Sequence, residues 1–245
     1  MTGWRQRGDI WQLEAERPSR GTVEFIGGSY LAATPQLSYR RLLEALAAKG
    51  WRIRAWTYVP GFDHQDQANT AWRRFRQLRD ADGDGGDSSR LMLRLGHSLG
   101  CKLHLLAPDG GRGAAGLVAL SFNNFSAERS IPLLAELGQQ FKFRSEFSPS
   151  PEETLQQVAR TYLQPRNLLV RFNRDQIDQS QRLLAVLQGR AGDASRLKEF
   201  PGDHLAPASA GLRQSLLGQW ADDPTKKRAL DGIAAAVDGW AALNP

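Results

Sequence analysis

Leu91-Met92-Leu93-Arg94-Leu95 is a short apolar run that leads through Gly96-His97-Ser98-Leu99-Gly100 into Cys101-Lys102-Leu103-His104-Leu105-Leu106-Ala107, which reads as a helix. A G-x-S-x-G between a strand and a helix has few uses. Small residues two before and two after the serine let the backbone close a sharp, strained turn, which lifts the Ser98 hydroxyl above the end of a sheet. The five-residue string alone is weak evidence in a chain with 24 glycines; its strand-turn-helix setting gives it weight.

The rest of the chain supplies the sheet. Apolar runs at 10–14, 22–26, 51–57, 90–95, 116–121, 167–172 and 195–199 alternate with helical patterns, which predicts an α/β fold with a mainly parallel sheet flanked by helices. The clearest helix is 36–49, where Leu42, Leu43, Leu46 and Ala47 share a face and Gly50 follows; two more are expected around 208–220 and 225–243. The stretch 124–165 is too long for a simple crossover and holds two helical patterns, so it is expected to be a small helical cap within one domain spanning 1–245. Its Ile131, Leu133, Leu134, Leu137 and Phe141 are at the spacing that would line an apolar acyl pocket, or simply pack the cap. Asp80 to Ser89 resembles a calcium loop but lacks the closing glutamate, and reads as a surface loop.

Composition narrows the function classes. One cysteine, Cys101, can build neither an internal disulfide nor a cysteine-rich zinc site, so no metal is expected. The net charge of +6 comes from 26 Arg and 6 Lys against 26 acidic residues, but apart from Arg73-Arg74-Phe75-Arg76 no basic cluster forms, so no nucleic-acid partner is expected. No targeting segment is legible at the start, and no apolar run reaches the ~18 residues of a membrane span. These features predict a soluble, cytoplasmic protein and are compatible with a peripheral membrane contact.

With Ser98 as nucleophile, an acid and then a histidine should follow it in the chain. Two histidines do. His104 lies inside the helix after the elbow, whereas His204 lies in Pro201-Gly-Asp-His-Leu-Ala-Pro207 after the last predicted strand, where the base belongs. Asn167-Leu-Leu-Val-Arg-Phe172 ends into Asn173-Arg-Asp-Gln-Ile-Asp178, and carboxylates at strand C-termini face the ligand crevice. Asp175 is the first choice as acid and Asp178, which could instead cap the next helix, the second. Backbone amides of Leu99 and Gly28 are the expected oxyanion donors. Ser29, Tyr30, His97, His64 and Asn123 are the expected substrate-pocket residues.

FIGGSYLAATPQLSYRRLLEALAAKGW, Tyr58-Val-Pro-Gly-Phe-Asp-His64, GHSLGCKLHLL, SFNNFSAERSIPLL, FNRDQID and PGDHLAP together resemble the α/β-hydrolase-like family named domain of unknown function 1350, found in cyanobacteria and plastids. The similarity runs from about Gly21 to Pro207. It implies the α/β-hydrolase fold and brings no substrate with it. The chain departs from many α/β-hydrolases in carrying Ile26 where a His-Gly motif has histidine, and Phe172 where glycine commonly stands three residues before the acid.

The reading is therefore a serine hydrolase of an ester or thioester that needs no cofactor, with a small, apolar acyl substrate. The alternative is a protein of the same fold that binds a ligand or partner without catalysis, because fold does not fix function.

Overall fold

Each of the seven runs read as strands is a strand in the computed structural model, which describes residues 3–83, 91–127, 146–208 and 224–243. They are β2 (Ile10–Leu13), β3 (Gly21–Ile26), β4 (Trp51–Trp56), β5 (Leu91–His97), β6 (Gly116–Leu120), β7 (Asn167–Phe172) and β8 (Arg196–Phe200). An eighth, β1 (Arg5–Arg7), has three exposed polar residues and so left no apolar signal. The sheet order is β1-β2-β4-β3-β5-β6-β7-β8, parallel from β4 through β8 and antiparallel only at the β1 and β2 edge. Chain order reverses at β3, whose neighbours are β4 on one side and β5 on the other. In an open parallel sheet the crevice for a ligand forms at such a reversal, outside the strand C-termini.

Both faces of the sheet are covered, so the central strands are buried along nearly their whole length, and β6 is apolar throughout instead of alternating with polar residues. In β6, Val118 and Leu120 join the core on one face while Leu117 and Ala119 join the core on the other. Helices α2 (Arg40–Ala47) and α7 (Pro224–Ala242) supply the first core through Leu42, Leu43, Leu46, Ile233 and Val237. The second face carries α3 (His64–Ala81), α4 (Leu99–Leu105), α5 (Pro151–Thr161) and α6 (Ser180–Gln188). The predicted helix 36–49 is interrupted: α1 (Pro35–Ser38) and α2 are separated by Tyr39, whose φ of −121° breaks the helix.

One expectation changes in this frame, and others fall outside the described residues. Of the two helical patterns assigned to a cap over 124–165, the first lies outside the described residues, together with Ile131, Leu133, Leu134, Leu137 and Phe141. The second is α5, and it is a layer helix: Leu155 and Val158 pack with Leu117, Leu169 and Leu183 in the core below the sheet face. Most of the 80–89 loop and of the helix expected at 208–220 also lies outside the described residues.

Charged residues occupy the middle of the sheet, where hydrophobic runs hid them. Glu24 of β3 is in register with Arg54 of β4 and Arg94 of β5, and all three are buried. Glu24 pairs with Arg79 of α3, Arg54 with Asp82 at 2.7 Å, and Arg94 takes Asp109 in a bidentate grip at 2.9 and 2.6 Å. Several arginines of the basic excess are therefore structural cations beneath α3 and α4.

Candidate active site

Ser98 sits on the turn between β5 and α4 with φ 53° and ψ −119°, a region that a residue with a Cβ rarely occupies. Its amide is tied to the Leu120 carbonyl at the end of β6, at 2.9 Å, and this bond holds the turn against the neighbouring strand. The flanking glycines are there because the backbone crowds them. A Cβ on Gly100 would lie 2.0 Å from the Ile26 carbonyl oxygen, and one on Gly96 2.6 Å from the Cys101 amide nitrogen. The turn projects the hydroxyl into the crevice at the β3/β5 reversal.

His204 reaches the same point from the loop after β8. Ser98 Oγ donates to His204 Nε2 at 3.0 Å, and His204 Nδ1 donates to Asp175 Oδ2 at 2.8 Å. Asp175 lies just after β7 with a fully buried carboxylate, and its other oxygen accepts the Ile177 amide at 3.0 Å. The three residues thus form one hydrogen-bonded chain, in which Asp175 fixes the histidine tautomer that leaves Nε2 free to accept. Asp178 is engaged elsewhere: it accepts the amide and hydroxyl of Ser180 at the start of α6, and burial raises its pKa. His104 donates to the Leu95 carbonyl at 3.2 Å on the far side of the elbow helix.

The expectation that Gly28 donates to an oxyanion is corrected. Its N–H already donates to Tyr39 Oη at 2.8 Å, and the bond is buried. Tyr39 in turn donates to His97 Nδ1 at 2.7 Å, because the other ring nitrogen, Nε2, must be the one that donates to the His204 carbonyl, at 2.9 Å. A continuous wire therefore runs from the loop after β3 to the loop that carries His204. Burial raises the Tyr39 pKa, and burial with the nearby His204 lowers that of His97 to about 3, so both stay neutral. Among the described residues no hydrogen bond is made to Leu99 N–H or to Ser29 N–H, the next amide along from Gly28.

Two hollows meet at Ser98. A cleft of about 590 Å3 is bordered by Ser98, His204, His97, Gln176, Ile177 and Leu205. A recess of about 170 Å3 lies on the other side, bordered by Leu99, Phe125, Phe147, His64, Lys102 and Asn124. Ser29 and Asn123 border both hollows. Of the expected pocket residues, Ser29, His97, His64 and Asn123 thus come to the site, while the Tyr30 side chain lies outside the described residues. Tyr39 and Lys102 were not legible as site residues. Tyr39 keeps the helical spacing of a core residue, and Lys102 is, with His104, one of two polar residues on an otherwise apolar helix. Cys101, with Sγ donating to the Leu120 carbonyl at 3.4 Å, is packed beneath the turn, and burial raises its pKa well above that of a free thiol. No group of residues that could hold a metal ion occurs among the described residues. No helix among them is long and apolar enough to cross a membrane.

A family model described as protein of unknown function (DUF1350) matches residues 3–222. No curated protein matches the chain in sequence. Among solved structures, a soluble variant of the monoglyceride lipase of Saccharomyces cerevisiae superposes with a TM-score of 0.65 at 12% identity, covering 99% of this chain and 94% of that one. The monoacylglycerol lipase of Paleococcus ferrophilus gives 0.59 at 15% identity, with 95% and 98% covered. A butyrate-bound esterase of Thermogutta terrifontis gives 0.59 at 15% identity, with 100% and 96% covered. At such identities the likeness establishes the α/β-hydrolase fold, and no more.

Proposed function

The chain belongs to the family described as protein of unknown function (DUF1350), and from that premise we propose that it is a serine hydrolase of carboxylic esters or thioesters. The observation that carries this reading is the unbroken chain Ser98 Oγ to His204 Nε2 and His204 Nδ1 to Asp175 Oδ2, at 3.0 and 2.8 Å, on a strained strand-to-helix turn. The α/β-hydrolase fold shared with esterases and lipases adds support.

In the mechanism, His204 Nε2 takes the proton of Ser98 as Oγ attacks the acyl carbon, and Asp175 stabilises the imidazolium that results. The carbonyl oxygen becomes an oxyanion, which the amides of Leu99 and Ser29 would hold in place of the Gly28 amide expected from sequence. His204 then gives its proton to the leaving oxygen or sulfur. Water, deprotonated by the same nitrogen, attacks the acyl-serine, and the proton returns to Ser98 as the acid departs.

This sequence divides the two hollows. The leaving group must lie within reach of His204 as proton donor, so it occupies the larger cleft, and the acyl group enters the recess beside Leu99. A fluorophosphonate probe tests the reading: it should label Ser98 in the native protein and fail to label Ser98→Ala and His204→Ala. Folded protein that does not label at Ser98 would overturn it in favour of ligand binding without catalysis.

A further inference from the structure

The recess assigned to the acyl group is mostly apolar, but it is not lined by hydrocarbon alone. Val59, Phe62, Leu99 and Phe125 give it apolar walls, but Lys102, His64, Asn123 and Asn124 also border it, together with Phe147. Lys102 lies one helical turn beyond Ser98 and is almost fully buried at 1% exposure. Its ammonium donates to the Pro149 carbonyl at 3.0 Å and lies 5.8 Å from the centre of the Phe147 ring. An ammonium has three protons to donate, so this leaves two. The two acidic groups whose charges act on Lys102 are otherwise engaged: Glu146 accepts the amides of Ala127 and Phe147, and Glu153 closes a capping box with Ser150. Neither borders the recess, where Lys102 is the one charged side chain among the described residues.

His64, the first residue of α3, stacks on Phe147 with ring centres 4.2 Å apart. It is 3% exposed, and both of its ring nitrogens lack a hydrogen-bond partner. Asn124 Oδ1 at the same recess is also buried and unpartnered. Filling this space with a methyl-terminated chain would seal an ammonium and an imidazole against hydrocarbon with nothing to receive their protons, which is unfavourable for both.

We propose that the recess selects a short acyl group carrying a second carboxylate, which accepts hydrogen bonds from Lys102 and His64. The inference rests on the hydrolase reading for the position of the scissile carbonyl, and it replaces the apolar acyl group expected from sequence. The methylenes lie against Val59, Phe62 and Phe125, and the far carboxylate receives charge-assisted hydrogen bonds at the Lys102 wall. A recess of about 170 Å3 has room for the few atoms that a short dicarboxylic acyl chain such as glutaryl carries beyond its scissile carbonyl.

Three methyl esters matched in length test this with the wild-type protein, methanol release being followed by proton NMR: monomethyl glutarate, dimethyl glutarate and methyl pentanoate. The expected kcat/KM for monomethyl glutarate is about tenfold or more above both others, and Lys102→Met, verified as folded by its melting curve, should bring the three within about twofold. Equal rates on all three esters, or a preference that survives Lys102→Met in folded protein, would overturn the proposal. Calorimetry on Ser98→Ala separates this inference from the hydrolase reading. Saturable binding of monomethyl glutarate, with methyl pentanoate binding at least tenfold more weakly, supports the site even if the wild type turns over no ester, whereas its absence refutes the site even if the wild type is an active esterase.

Discussion

Tyr39 Oη stands between Gly28 N–H and His97 Nδ1, and His97 holds the carbonyl of His204, so one phenol ties the loop after β3 to the loop that carries His204. Tyr39→Phe leaves the Gly28 amide and a buried imidazole nitrogen without partners, and should lower stability by about 1–3 kcal/mol in urea denaturation. It should also slow fluorophosphonate labelling of Ser98, because the His204 loop loses its anchor; an unchanged labelling rate would show that the loop is held without it. The two aspartates after β7 differ more sharply. Asp175→Asn keeps the shape of the side chain but favours the wrong histidine tautomer, so labelling should fall by about 10³–10⁴-fold with little change in stability. Asp178→Asn touches only the Ser180 turn, and its labelling rate should stay within about threefold of wild type. The reverse outcome would exchange the two roles.

At the scale of elements, the elbow is a contact between the start of α4 and the end of β3, and it tolerates no added atoms. Gly100→Ala would drive a methyl group into the Ile26 carbonyl at 2.0 Å, so the turn must open. Loss of Ser98 labelling together with a lowered melting temperature is expected, and a fully active Gly100→Ala would contradict the packing described. Strand β5 depends on a second contact. Arg94 is buried at 2% exposure and its bidentate bond to Asp109, joined by the amides of Gly111 and Gly113, ties the strand to the loop after α4. Those donors and the Arg94 charge hold the Asp109 pKa at about 2 against the cost of burial. Arg94→Met would strand that carboxylate, at an expected cost of about 3–5 kcal/mol by urea denaturation, whereas the exposed Arg182–Glu152 pair between α6 and α5 should cost under about 1 kcal/mol when broken.

For the molecule as a whole, the buried histidines set how it responds to acid. Burial lowers His64, His97 and His104 to about 3 from an ordinary value of 6.5. Between those two values the unfolded chain binds protons that the folded chain refuses, so stability falls as pH drops through that window and is fully present above 6.5. Well inside the window each histidine contributes a slope of about 1.4 kcal/mol per pH unit. Asp109 adds its loss only below 3.8, nearer its own value of about 2. Urea midpoints should therefore decline between pH 6 and pH 4, before Asp109 adds its loss, and His104→Phe, which cannot be protonated, should flatten the decline. A midpoint constant over that range would show that these imidazoles are hydrated or paired.

What the chain determines by itself is what depends on local pattern. Hydrophobic periodicity marks β2 through β8, and one glycine two residues to either side of Ser98 marks the elbow, because strand pairing and backbone crowding act on the residues that carry the signal. Strand C-termini of a parallel sheet share one edge, so the residues just beyond them, Ser98, Asp175 and His204, could be named from their place in the chain. Only the tertiary structure decides which polar groups meet inside. That Tyr39 takes the Gly28 amide away from any oxyanion, that α5 belongs to the flanking layer, that Glu24 lies between Arg54 and Arg94, and that Lys102 and His64 border the recess are all contacts between residues far apart in sequence. Tyrosine at core spacing and arginine within an apolar strand look alike in the sequence whether exposed or buried; the hydrogen bonds that burial compels are made with partners no local pattern names.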